Sequence, residues 1–243
     1  MQYPGVAKSI DSDVDNVSTL LRVAGFAPPE LEMDKLLDAA KKQLHEEADY
    51  EREGAQMQLY RQQLADIPGF VVPKLHEDLT RGSILAMSFE EGVAIEKLED
   101  EPAERRDEIF GNLLELVSRE LFDFGVMQTD PNFANFRYRP STGELILLDF
   151  GACRAVDPAV SNGYRNMLKA GLEGNRDEVR QATIQAGFMM PIVAEKHPDS
   201  VNTMIDIVID QMREDKPFNF ADRGFVYLLR EEGFAIAQDK ETW

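Results

Sequence analysis

The chain is short of the residues that do covalent and imidazole chemistry, with one cysteine and three histidines in 243 residues. A lone thiol, Cys153, excludes an internal disulfide and any zinc site assembled from cysteines. His45, His76 and His197 are widely separated, form no ligand pattern, and read as surface or capping residues. No apolar run reaches the length of about 18 residues that a membrane-spanning helix needs. Met1-Gln2-Tyr3-Pro4-Gly5 has neither the basic stretch nor the apolar core of a signal peptide. Positive charge is also scarce, with 26 Lys and Arg against 45 Asp and Glu, a formal net charge of −19. Such a chain repels nucleic acid and anionic lipid surfaces at long range, so neither is a partner by charge alone. The expected compartment is reducing cytoplasm. A glycine-rich phosphate loop is missing as well.

The apolar pattern is that of an α+β protein. Ile10 to Gly25 has Val14, Val17, Leu20 and Leu21 on one helical face, and Pro28-Pro29 breaks it. A long helix is expected from Glu30 to Ala65, with Leu36, Leu37, Ala40, Leu44 and Ala48 in register, a kink at Gly54 and a stop at Pro68-Gly69. Phe70 to Leu75 and Ser83 to Phe89 read as two paired antiparallel strands. Glu90-Glu91-Gly92 follows as a hinge. Asp100-Glu101-Pro102 starts a central buried helix carrying Ile109, Leu113, Leu116, Val117, Leu121 and Phe124. Phe136 to Leu148 forms a hairpin around Pro140-Ser141-Thr142-Gly143. Helices run from Asp157 onward, with breaks near Gly174, Pro191 and Pro217.

The chemistry gathers around that hairpin. Asp130 and Asn135 stand five residues apart in the loop before it, and Asp149-Phe150-Gly151 closes it. A D-x-x-x-x-N loop followed by Asp-Phe-Gly is the metal and phosphate apparatus of a protein-kinase-like fold. There the first Asp handles the nucleophile's proton, while the Asn and the second Asp hold Mg²⁺ against the phosphates of ATP. Taken alone, Asp130 and Asn135 would be an Asx-turn pair shaping their own loop. Followed by a strand and Asp149, they point to chemistry. Phe150 reads as core packing and Cys153 as a small buried thiol. Arg137, Arg139 and Arg154 form a small basic group near the site. The acidic run Glu46 to Glu53 is either a solvated helix face or the source of a glutamate that pairs with a phosphate-binding lysine, and composition does not choose between them.

At these residues the sequence resembles the AarF/UbiB family of atypical kinases, which act in ubiquinone biosynthesis. The resemblance is carried by Met127-Gln128-Thr129-Asp130-Pro131-Asn132-Phe133-Ala134-Asn135-Phe136, with Gln-Thr-Asp where typical kinases have His-Arg-Asp. Leu147-Leu148-Asp149-Phe150-Gly151-Ala152, Glu47-Ala48-Asp49-Tyr50-Glu51-Arg52-Glu53 and Gln2-Tyr3-Pro4-Gly5-Val6 add to it. The resemblance implies a kinase-like fold: residues 1–90 as a partial small lobe with the acidic helix and two short strands, and 91–243 as a helical large lobe with the catalytic hairpin. It implies Glu47 as the lysine-pairing acid that helps bind nucleotide, Asp130 as the catalytic-loop acid, and Asn135 and Asp149 as Mg²⁺ ligands. Asp49 and Glu53 would stabilise the same helix or touch an inhibitory extension. ATP and Mg²⁺ are the implied cofactors, ATP hydrolysis or phosphoryl transfer the implied activity, and quinone-pathway enzymes or lipid the implied partners. Peripheral association with the inner membrane is implied too.

The family's nucleotide-binding lysine, its Lys-x-Gly-Gln motif and its alanine-rich nucleotide loop have no counterpart here. The chain therefore reads as a fragment at both ends, with a weak hold on ATP. A catalytically inactive pseudokinase serving as a scaffold, or as a lipid- or partner-binding module, is the alternative from a different class. A small-molecule phosphotransferase of the aminoglycoside or choline kinase type is the third reading.

Overall fold

The computed structural model describes residues 1–2, 5–23, 33–130, 132–220 and 222–239. Contacts divide the chain into two compact units, Met1–Ala155 and Val156–Trp243. The expected break at Pro28-Pro29 and the Pro131 of the loop motif lie outside the described residues.

The first unit opens with three helices, α1 (Val6–Val23), α2 (Met33–Glu47) and α3 (Tyr50–Gln63). The single long helix expected through Ala65 is two helices, broken at Ala48-Asp49 and not at Gly54. Asp49 explains the break. Its backbone is extended and its carboxylate accepts from the N–H groups of Glu51 and Arg52, both at 3.1 Å, so it caps a new helix. Gly54 stays inside α3, buried, where an added Cβ would lie 3.1 Å from Leu75. The apolar stripe of α2 is not a core face either, because no residue of α2 is buried.

Four strands form one sheet in the order β1 (Phe70–Val71), β5 (Glu144–Leu147), β4 (Phe136–Arg139) and β2 (Val93–Ala94). The hairpin β4–β5 is antiparallel as expected, with Phe136 opposite Leu147, and Gly143 takes the positive φ its turn requires. β1 pairs parallel with β5 and not with the segment at residues 83–89. That segment does return beside residues 74–76, through the antiparallel bridge Leu75–Met87. The sheet thus joins residues on both sides of position 90.

Glu90-Glu91-Gly92, expected as a hinge, is pinned. Arg139 donates to Glu90 at 2.7 Å and to the Glu91 carbonyl at 3.3 Å, and Arg137 donates to the Gly92 carbonyl at 3.0 Å. Helix α4 (Ala103–Arg119) follows, then one π-helical turn, Glu120–Phe124, ending on left-handed Gly125. Only Ile109 and Leu116 of α4 are buried, so this helix is a half-exposed flank and not the centre expected for it. β3 (Val126–Gln128) and β6 (Cys153–Ala155) make a separate two-stranded ladder. Met57, Tyr60, Phe70, Leu145, Leu147 and Phe150 lie at the heart of the core. Phe150 packs on Tyr60 with ring centroids 5.2 Å apart, which is the packing role the sequence suggested.

The second unit holds α5 (Pro158–Glu173), α6 (Arg176–Gln185), α7 (Pro191–Lys196), α8 (Pro198–Arg213) and α9 (Arg223–Ala237). Asp157, Asn175 and Asp222 cap α5, α6 and α9, and Gly174 ends α5 in the left-handed conformation. The expected stops near Gly174 and Pro191 coincide with helix boundaries.

Gly92 gives a direct test of the pinned segment. A Cβ there would meet Ile146 Cδ1 at 2.8 Å and the Tyr138 carbonyl oxygen at 3.1 Å, so Gly92→Ala forces β2 away from β4. The expected loss is about 1–3 kcal/mol, read from urea unfolding, and an unchanged midpoint would refute the close approach.

Candidate functional site

The hairpin brings the sequence motif together by register. Phe136 faces Leu147, so the residues just outside the ladder, Asn135 and Leu148, are neighbours, and the Leu148 N–H donates to the Asn135 carbonyl at 2.9 Å. Asp149 is the next residue. Asn135 ends a short 3₁₀ turn, Phe133–Asn135, which Asn132 caps by accepting from the Ala134 N–H at 3.0 Å. The Asn135 side-chain amide donates to Asp130 Oδ2 at 3.1 Å, which leaves its own Oδ1 without a partner among the described residues. The backbone N–H of Gly151 donates to Asp149 Oδ1 at 2.9 Å and fixes that carboxylate.

Gln128 joins the two loops. It ends β3, opposite Cys153 of β6. Its amide group donates to the Asp149 carbonyl at 3.1 Å, and its amide oxygen accepts from the Asp130 N–H at 2.8 Å. Thr129 adds a second tie, its hydroxyl donating to the Ala152 carbonyl at 2.7 Å. The backbone N–H of Gln128 donates in turn to Glu120 Oε1 at 3.2 Å.

Helix α3 holds the Asp149 loop from the other side. Arg52 donates to the carbonyls of Gly151 and Cys153, both at 2.6 Å, and Glu53 accepts the Phe150 N–H at 3.3 Å. Burial, and then the negative charge of Asp149, push the Glu53 carboxyl up to about 7. Beneath lies a second buried acid. Glu120, 2% exposed on the π-turn, accepts from the Tyr60 hydroxyl at 2.7 Å as well as from Gln128. Burial raises its carboxyl above the usual range, while those two donors pull the other way. Cys153 is inert in this setting, with burial driving its thiol up to about 12.

Glu47, Glu53, Asp130 and Asp149 line one cavity of about 420 Å³, with Met1, Tyr50, Leu85 and Met87 among its other walls. No Lys, Arg or His belongs to that lining among the described residues. The small basic group expected beside the site is engaged elsewhere: Arg137 and Arg139 hold the segment before β2, and Arg154 pairs with Glu46 at 3.2 Å. No group of three or more His, Cys, Asp or Glu residues is close enough to hold a metal by itself among the described residues. The donor set still suits a hard cation. A carboxylate and a free amide oxygen are what Mg²⁺ takes from a protein when phosphate and water complete its shell.

Of the residues singled out in the sequence, Asp130 and Asn135 are hydrogen-bonded to each other. Asp149 is tied to Asp130 through Gln128, and Glu47, at the end of α2, lines the same cavity. Asp49 is a helix cap and Glu53 an anchor of the Asp149 loop. Sequence reasoning missed Arg52, the linking role of Gln128, and Glu120. For Glu120 there was a signal, an acid four residues after Leu116 on the apolar face of its helix.

Comparison with known proteins places the chain in a class. The solved structure of Mycobacterium tuberculosis Rv3197 in complex with erythromycin covers 97% of this chain and 65% of its own, with a TM-score of 0.64 at 20% identity. The fold is therefore shared with a solved protein, and it is the α+β, kinase-like fold. The ABC1 atypical kinase-like domain matches residues 1–183, and the chain belongs to that family. Among its relatives, the mitochondrial atypical kinase COQ8B of Rattus norvegicus is 38% identical over 205 residues, covering 83% of this chain and 39% of that protein. The mitochondrial atypical kinases coq-8 of Caenorhabditis elegans and COQ8 of Saccharomyces cerevisiae are each 34% identical over 227 residues, 92% of this chain. The chain spans 30% of the former and 45% of the latter. No helix among the described residues is long and apolar enough to cross a membrane.

The Glu120 network makes a pH prediction. Its folded carboxyl sits above the ordinary value of 4.5, so the native state favours the protonated form. That contribution to stability is complete below about pH 4.5 and is lost as pH rises through the higher folded value. Glu120→Gln keeps an acceptor oxygen for Tyr60 and Gln128, and is expected to flatten this part of the stability loss. Urea midpoints at about pH 4.5 and pH 8 measure it, and a variant with the parent's slope would remove Glu120 as the cause.

Proposed function

We propose that this chain is the metal- and phosphate-binding core of an atypical kinase that uses Mg²⁺ and ATP, hydrolysing the nucleotide or transferring its terminal phosphoryl group in support of ubiquinone biosynthesis. The observation that carries the reading is the pairing of Asp130 with Asn135 on a loop that Gln128 ties to Asp149. In this reading residues 1–90 contribute to a small lobe and 91–243 to a large one. Asn135 Oδ1 and the Asp149 carboxylate would hold Mg²⁺, which supplies neutralisation of the phosphate charge when bound. Asp130, exposed at the mouth of the cavity, would accept the proton of an attacking hydroxyl or orient a water. Glu47 would pair with a lysine of the nucleotide site. Quinone-pathway enzymes or lipid, at the inner-membrane surface, are the partners this reading favours.

Electrostatics support the need for metal. Four carboxylates line the cavity of a chain with a net charge of −19, and ATP is itself an anion. Nucleotide without a divalent cation should be repelled. The lack of a cationic side chain in the described lining favours a second reading, a pseudokinase that binds nucleotide or a partner without turnover.

Calorimetry of ATP binding with and without Mg²⁺ tests the proposal. Binding is expected only with Mg²⁺, and Asp149→Asn should weaken it at least tenfold, about 1.4 kcal/mol. Equal affinity without the metal, or in the variant, would reject the assignment. Phosphate release measured on the same samples separates the two readings, since the pseudokinase binds without releasing phosphate.

A further inference from the structure

A cavity of about 370 Å³ lies within the 156–243 unit, walled by α5, α6, α8 and α9, and the site above makes no use of it. Four of the chain's ten methionines, Met167, Met189, Met204 and Met212, line it. The other walls are aliphatic except for Tyr164 and Thr183, and none of them is charged. The Thr183 hydroxyl is already committed, donating to the Val179 carbonyl at 2.7 Å and lying 3.3 Å from Met167 Sδ.

We propose that this cavity binds a small apolar molecule, a single aliphatic chain. Tyr164, Leu168 and Val208 leave the cavity open to solvent along one edge, and the water inside gains little because the walls offer few polar partners. An extended polypeptide segment would bring N–H and C=O groups that find no free partner there, at a cost for each one left unpaired. An aliphatic chain brings none. Size fits as well: an apolar cavity of roughly 150 Å³ takes up benzene, so this one admits a longer molecule. Methionine supports the same choice, since its unbranched thioether reshapes around variable apolar guests more readily than Leu, Ile or Val.

The test is a titration of ¹³C-methyl-methionine protein with straight-chain alcohols from 1-butanol to 1-decanol, followed by NMR. The methyl signals of Met167, Met189, Met204 and Met212 should shift and saturate, while those of Met57, Met87 and Met127 in the other unit stay in place. Affinity should rise roughly fourfold per methylene until the cavity is full. Val179→Phe, which fills the space, should weaken 1-decanol binding at least tenfold in a protein that still melts cooperatively. If that variant does not fold, Val208→Phe at the more exposed edge carries the same expectation. Unmoved cavity methyls, equal shifts in both units, affinity independent of chain length, or a folded filled variant that binds like the parent would each overturn the proposal.

Discussion

One side-chain amide holds the described site together. Gln128 touches both loops through both ends of its amide, donating to the Asp149 carbonyl and accepting from the Asp130 N–H. An amide suits this task because it offers a donor and an acceptor in one rigid plane and carries no charge beside two carboxylates. The β3–β6 ladder sets its position by placing Gln128 opposite Cys153, directly after the Asp149 loop. Without that cross-link, Thr129, the hairpin and the β3–β6 ladder would remain to join the two loops.

The support beneath Gln128 is polar and buried, which is an unusual way to stabilise a core. Glu120 sits among Tyr60, Gln128 and the thiol of Cys153, and makes no ion pair among the described residues. A buried carboxylate is costly unless it is neutral or well hydrogen-bonded; here two donors meet it, and burial shifts it toward the neutral form. The π-turn that carries Glu120 lets the chain leave α4 and enter β3 through Gly125. Glu53 repeats the theme closer to the cavity, where burial and Asp149 hold its carboxyl near 7. Acids kept near their neutral form stiffen the loops without adding their full charge to an already acidic cavity.

The kinase-like fold is shared with a solved protein at 20% identity, and the ABC1 domain match covers residues 1–183. Glu47, Glu53, Asp130 and Asp149 line one cavity, where burial and the charge of Asp149 raise the Glu53 carboxyl. The helical 156–243 unit has a different character, apolar within and rich in methionine around its void. The two units therefore differ in the chemistry each is fitted to accommodate.

Much of the candidate site was legible in the sequence, because Asp130, Asn135 and Asp149 are placed by short-range rules: a capped turn and a hairpin register. The α+β class, the hairpin, the buried thiol and the core role of Phe150 were legible for the same reason. Less was legible where distant segments meet. The cap at Asp49 was hidden inside a continuous helical pattern, and the parallel pairing of β1 with β5 crosses more than seventy residues. The acidic run that holds Arg52 and Glu53 stayed ambiguous, and Glu120 drew no reading, until packing buried the two acids and brought Arg52 and Glu53 to the Asp149 loop. Local pattern alone determined which side chains carry oxygen donors at the right spacing. Only the tertiary structure decided which polar groups lose their water, because desolvation depends on the neighbours that long-range packing supplies and not on the residues next in the chain.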